Sequence, residues 1–150
     1  MTTPPQTRSD AGLATALRIS VSRLARRMRA QRLASGLEPG LSDTQLAALS
    51  ALERHGMMTP GELAEHEKVQ PPSMTRVVAV LEERGLVIRE PHASDRRQVV
   101  LTVTEQGKEV VRQSRRLREA WLAQRLRELT PAERALLRQA APILEKLSQS

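Results

Sequence analysis

The apolar positions fall first at helical intervals. Leu13, Leu17, Val21, Leu24 and Met28 follow one another at steps of 4, 4, 3 and 4, one face of an α-helix. This stripe predicts a helix from Asp10 to Ser35, closed by Gly36, with Pro39-Gly40 turning the chain. Leu46, Leu49 and Leu52 mark a second helix, stopped by Gly56, and a short third helix covers Pro60 to Glu67. A fourth opens at the Pro71-Pro72 pair and turns Met74, Val77, Val78 and Leu81 inward, with Gly85 as its left-handed cap. The period then changes to two. Leu86-Val87-Ile88-Arg89 reads as one strand and Gln98 to Val103 as its partner, with Val99, Leu101 and Val103 on one face. The connection Glu90 to Arg97, which contains Pro91, Ser94 and Asp95, is longer than a tight turn. Helical spacing returns from Thr104-Glu105 to Arg127, marked by Val110, Val111, Leu117, Trp121 and Leu122. A last helix runs from Pro131 to Leu147 and carries Leu136, Leu137, Ala140, Ile143, Leu144 and Leu147.

One chemical device fixes three of the helix starts. Ser42-Asp43-Thr44-Gln45, Thr59-Pro60-Gly61-Glu62 and Thr130-Pro131-Ala132-Glu133 all fit the capping box. In that motif a hydroxyl takes an orphan backbone N–H and the side chain three residues on reaches back. Proline directly after the cap costs nothing, because its missing N–H would have been unpaired. The order of elements is that of a winged helix-turn-helix, a mainly α fold with a small β-hairpin wing. Residues 37–104 form this DNA-binding domain, 10–36 and 105–150 form dimerisation helices, and 1–9 are a disordered tail. The outer helices are too apolar along one stripe to stand alone, and a second copy of the chain is the partner expected for them.

Composition narrows the chemistry. The chain has 150 residues, enough for one domain, and no cysteine, which removes disulfides, thiolate metal sites and redox-sensing thiols. Trp121 is the only aromatic residue, so the core is aliphatic. The net charge of +7 rests on 21 Arg and only 3 Lys, and points to an anionic partner, nucleic acid first. The opening MTTPPQTRS lacks the apolar core of a signal peptide, and no apolar run approaches membrane-spanning length, so a cytoplasmic protein is expected. Gly-rich phosphate loops, nucleophile elbows and metal-ligand clusters are missing, which excludes the common enzyme classes. His55, His66 and His92 fall in three different elements without ligand spacing, so they read as solvated or capping histidines, and neither a metal nor a cofactor is expected.

Two segments carry candidate DNA contacts. In a helix-turn-helix the second helix enters the major groove by its N-terminal end. Here that end holds Gln70, Pro72, Ser73, Thr75 and Arg76 on the outer face, groups that bond base edges and phosphates. The hairpin tip offers Ser94, Asp95, Arg96 and Arg97; a guanidinium there suits the narrow minor groove. Asp95 can brace one arginine by a charge-assisted bond and so aim the other. Spacing favours Arg97 as the braced partner and Arg96 as the probe, with the reverse assignment open. An architectural DNA binder with little sequence preference is the alternative to an operator-specific regulator.

The segment MTPGELAEHEKVQPPSMTRVVAVLEERGLVIREPHASDRRQVVLTVTEQG resembles the DNA-binding core of the MarR family of bacterial transcriptional regulators. The hallmark is LEERGLV, the DRR of the wing tip and LTVTEQG after it. The resemblance implies a homodimer on a pseudo-palindromic double-stranded operator, usually as a repressor, and often relieved by a small aromatic or anionic effector. Arg18 matches a position that contacts an anionic ligand in some relatives, although it stands among a run of surface arginines. The cysteines and tyrosines that serve other members are missing here.

Overall fold

The computed structural model describes residues 8–34, 36 and 40–150. Six helices and a two-stranded antiparallel sheet follow in the expected order: α1 (Asp10–Ala34), α2 (Asp43–His55), α3 (Pro60–His66), α4 (Pro71–Glu83), β1 (Val87–Pro91), β2 (Val99–Val103), α5 (Glu105–Arg127) and α6 (Pro131–Ser148). The chain divides into two compact units. One comprises Ser35–Arg116, and the other comprises Leu117–Ser150 with the chain up to Ala34.

The first unit is built around an aliphatic core. Ala48, Leu49, Ala51 and Leu52 of α2 pack with Leu63 and Ala64 of α3, Met74, Val77, Val78 and Leu81 of α4, and Leu101 and Val103 of β2. Val111 from the first part of α5 completes it. Each fully buried Leu or Val contributes about 1.5–3 kcal/mol relative to exposure. All three capping boxes form. Ser42 accepts from Gln45 N, Thr59 from Glu62 N and Thr130 from Glu133 N, and each third residue returns a bond to the cap amide.

Helix α4 ends as a Schellman turn. Gly85 takes φ +71, its N–H donates to the Glu82 carbonyl, and the Leu86 N–H donates to the Leu81 carbonyl, both at 2.9 Å. Helix α3 ends the same way without glycine. Lys68 holds φ +55, its N–H donates to Glu65 O at 3.2 Å, and Val69 N–H donates to Ala64 O at 2.9 Å. A left-handed lysine costs roughly 1–2 kcal/mol. This turn sets the angle between the two helices of the helix-turn-helix.

The strands differ in detail from expectation. Leu86 belongs to the Schellman turn rather than to β1, and pairing runs from Val87↔Val103 to Pro91↔Val99. Val100 is buried as well as Leu101, although the two point to opposite faces. On its far edge β2 meets a third segment: Met58 and Leu101 exchange both backbone bonds, at 3.4 and 2.7 Å.

In the second unit α1 starts at Ser9, whose Oγ accepts from Gly12 N at 3.1 Å. Ser35 and residues 37–39, at the expected end of this helix and its turn, lie outside the described residues, as do residues 1–7 of the expected tail. The Trp121 ring of α5 meets two guanidinium groups, Arg27 at 5.9 Å and Arg125 at 5.5 Å from the ring centroid. Large apolar side chains of α1 and α6 remain exposed, among them Val21 at 49%, Leu136 at 65% and Ile143 at 61%.

Candidate nucleic-acid interface

Helix α4 presents two different faces. Met74 is 1% exposed and sits in the core with Val77 and Val78, while Gln70, Pro72, Ser73, Thr75 and Arg76 are all exposed. The anchoring therefore works from behind: the buried face fixes the helix and leaves the polar N-terminal end outward. Gln70 occupies the cap position at φ −62 and ψ 140 but makes no side-chain cap bond, so its amide group is uncommitted. Pro71 and Pro72 have no N–H, which makes Ser73 the first residue of the helix with an unpaired amide donor. The Thr75 hydroxyl donates to the Pro71 carbonyl at 3.0 Å. It therefore meets an outside group only as an acceptor, or through its methyl.

The wing tip explains why two arginines stand together. Gln98 N–H donates to Asp95 O at 3.0 Å, closing a four-residue turn whose two corners are Arg96 and Arg97. Asp95 Oδ1 accepts from Arg97 N at 3.1 Å, nesting an Asx-turn inside the first. The same oxygen meets Arg97 Nε at 3.4 Å. The favoured pairing of Asp95 with Arg97 is thus present. That ion pair is weak, because the Arg97 side chain is 94% exposed. Asp95 shapes the backbone more than it holds the guanidinium. Arg96 is exposed and makes no hydrogen bond or ion pair among the described residues. Ser94 is exposed and its Oγ lies 3.1 Å from His92 Nδ1.

Other contacts tie the wing to α4 and α5 to α2. Arg89 of β1 pairs with Glu82 of α4, and Arg115 of α5 meets Glu53 of α2 at 3.3 Å. Below the tip lies a hollow of about 370 Å³ lined by Met57, Thr59, Glu62, Glu90, His92 and Val100. Arg18 is exposed on α1, in the other unit. Two histidines that look remote in sequence come together, with the His55 and His66 rings 4.7 Å apart between centroids. Among the described residues no three His, Cys, Asp or Glu side chains are grouped to hold a metal. Lys68 is the residue of this region that the sequence does not mark, because no glycine announces its turn. His92 is one of the histidines expected to be solvated or capping rather than metal ligands, and its ring nitrogen caps the amides of Ser94 and Asp95.

The family model of the MarR family matches residues 41–99. The HTH-type transcriptional regulator Mb0904 of Mycobacterium bovis is 48% identical over 136 residues, 91% of this chain and 92% of that protein. The chain belongs to the MarR family. The HTH-type transcriptional repressor MdtR of Bacillus subtilis is 31% identical, with 89% of this chain and 84% of that protein aligned. Among solved structures, RV1404 from Mycobacterium tuberculosis superposes with a TM-score of 0.85 at 27% identity, covering 95% of this chain and 97% of that one. A MarR family protein from Bacillus stearothermophilus shares the fold at a TM-score of 0.81 and 23% identity, covering 99% and 100% of the two chains. The protein is a MarR-type transcriptional regulator with a DNA-binding winged helix, and its relatives carry the names of regulators rather than of enzymes.

Proposed function

We propose that this MarR-family chain is a homodimeric repressor that reads a pseudo-palindromic operator through two recognition helices and two wings. The observation that carries the reading is α4, with Met74, Val77 and Val78 buried behind an exposed end of Gln70, Ser73, Thr75 and Arg76. Half-sites read by such a pair lie about one helical turn apart, near 10 bp. Arg96 enters the minor groove beside each half-site, while Pro72 and Ser94 bring backbone close to phosphate. The dimer is supported by the apolar side chains that α1 and α6 leave exposed, a set of the kind that marks a protein interface. Repression is supported by MdtR of Bacillus subtilis and NicR of Pseudomonas putida, both named repressors. A small aromatic or anionic effector, with Arg18 as one contact, relieves binding only by its differential affinity for the free and DNA-bound arrangements. The site of action is the bacterial cytoplasm; among the described residues no helix is long and apolar enough to cross a membrane.

Arg76→Ala tests the recognition helix. Duplexes selected by the wild-type protein from a random pool are titrated beside an unselected duplex. A bidentate arginine–guanine contact carries about 1–3 kcal/mol of discrimination, so the variant loses roughly 5- to 150-fold of the specificity ratio. A variant that binds both DNAs more weakly by the same factor assigns Arg76 to phosphate.

A further inference from the structure

The tip of the wing is held by a residue that contacts no arginine. His92 follows β1 and is half-buried. Its Nδ1 lies 3.2 Å from the backbone N of Ser94 and 3.2 Å from that of Asp95, with Ser94 Oγ at 3.1 Å. A backbone amide only donates, so Nδ1 accepts from both and the ring proton sits on Nε2. The imidazole thus does what an Asn or Asp side chain does in an Asx-turn, capping the amides two and three residues on. His92 N–H also donates to Gln98 O at 3.0 Å, which closes the base of the tip. The next turn is built on Asp95, whose amide is fixed by His92, its carbonyl by Gln98 and its carboxylate by Arg97. The direction of Arg96 is therefore set through His92.

We propose that the neutral His92 imidazole is the positioning residue of the wing and makes operator binding by this protein proton-sensitive. The proposal rests on the DNA-binding reading above. A protonated imidazole carries hydrogen on both nitrogens. Ser94 Oγ can accept the new proton, but the amides of Ser94 and Asp95 lose their acceptor and the tip opens. The charged groups around the ring do not replace it. Asp95 and Arg97 belong to the tip itself, and Glu90 and Glu62 line the hollow shared with His92. The Glu62 carboxylate already accepts from Thr59 N at 3.1 Å. These carboxylates offer the two amides no new partner. Protonation also adds one positive charge, which strengthens contact with any phosphate, whatever the sequence. The two consequences therefore separate between operator and random DNA.

The test begins with the free full-length protein. Backbone order parameters of Ser94, Asp95 and Arg96 are measured by NMR at about pH 7.5 and about pH 5.5, on either side of the range in which imidazoles change charge. In the wild type they fall from about 0.85 to below about 0.6 on acidification. His92→Asn places Oδ1 where Nδ1 stood and does not titrate, so its tip stays ordered at both values; His92→Ala is mobile at both. Titration of a duplex selected from a random pool gives the matching pattern. Wild-type affinity drops about tenfold on acidification, or about 1.4 kcal/mol. The Asn variant keeps its affinity, and the Ala variant is weak throughout. Random-duplex affinity falls in none of them. An ordered tip in His92→Ala overturns the positioning role. The same acid loss in His92→Asn as in the wild type overturns His92 as the sensor and points to another group, the His55–His66 pair first. If the tip behaves as expected but no duplex is preferred over random DNA at pH 7.5, the operator reading fails and the positioning role stands.

Discussion

Gly107→Ala destabilises the winged unit by about 3 kcal/mol, at the upper end of what overpacking costs. A Cβ on Gly107 would lie 2.3 Å from the Leu86 carbonyl oxygen, 3.2 Å from its carbon and 2.8 Å from Val103 Cγ1. The obstacle is backbone, and it has nowhere to go. Leu86 O accepts from Thr104 N at 3.0 Å, and Leu86 N closes the Schellman turn of α4. Thr104 Oγ1 donates to Gly85 O at 2.7 Å and accepts from Gly107 N at 3.1 Å, so it caps α5 and staples it to the end of α4 at once. The hallmark stretches LEERGLV and LTVTEQG are thus two halves of one junction that fixes the end of α4. Urea unfolding followed by circular dichroism measures the loss; a change below about 1 kcal/mol would mean that α5 moves off α4 freely, which the two bonds from Thr104 to Gly85 and Leu86 oppose.

Arg96→Ala weakens operator binding about tenfold or more, at least about 1.4 kcal/mol, while stability stays within about 0.5 kcal/mol of the wild type. The two halves of this prediction have separate causes. Arg96 stands at a corner of the tip turn with no partner among the described residues, so its removal costs the fold nothing. The turn itself survives, because its bonds come from Asp95, Arg97 N and Gln98 N. The guanidinium is then lost only where the potential of a narrow minor groove would have rewarded it. A mobility-shift titration on the selected duplex, paired with a thermal melt, reads both quantities. Unchanged affinity would remove the minor groove from the account.

Local chemistry was legible in the sequence and long-range chemistry was not. The three capping boxes and Gly85 announce helix ends because the residues that satisfy the backbone are neighbours in the chain. The polar face of α4 was legible for the same reason, since burial of Met74 fixes which side Arg76 takes. The Asp95–Arg97 pairing is the one a spacing of two favoured, although spacing alone left the reverse open. By contrast, the end of α3 rests on a left-handed Lys68 that no glycine marks. The bridge between Met58 and Leu101 joins residues far apart in sequence, and the apolar run around it carries no signal for that pairing. The same distance hides the approach of His55 to His66. Gly107 carries no local signal for its role either, because the Leu86 carbonyl against it comes from a distant part of the chain.

The central claim is that the outward end of α4 and the wing tip read sequence, and one equilibrium measurement addresses it. The full-length protein is titrated at fixed salt against a duplex with two inverted half-sites about 10 bp apart, selected from a random pool, and against a random duplex of equal length. The selected site is expected to be bound about 10³-fold or more tightly, within the range of sequence-specific regulators. A ratio near one at the same salt would contradict it and leave a protein that binds DNA through charge and shape alone.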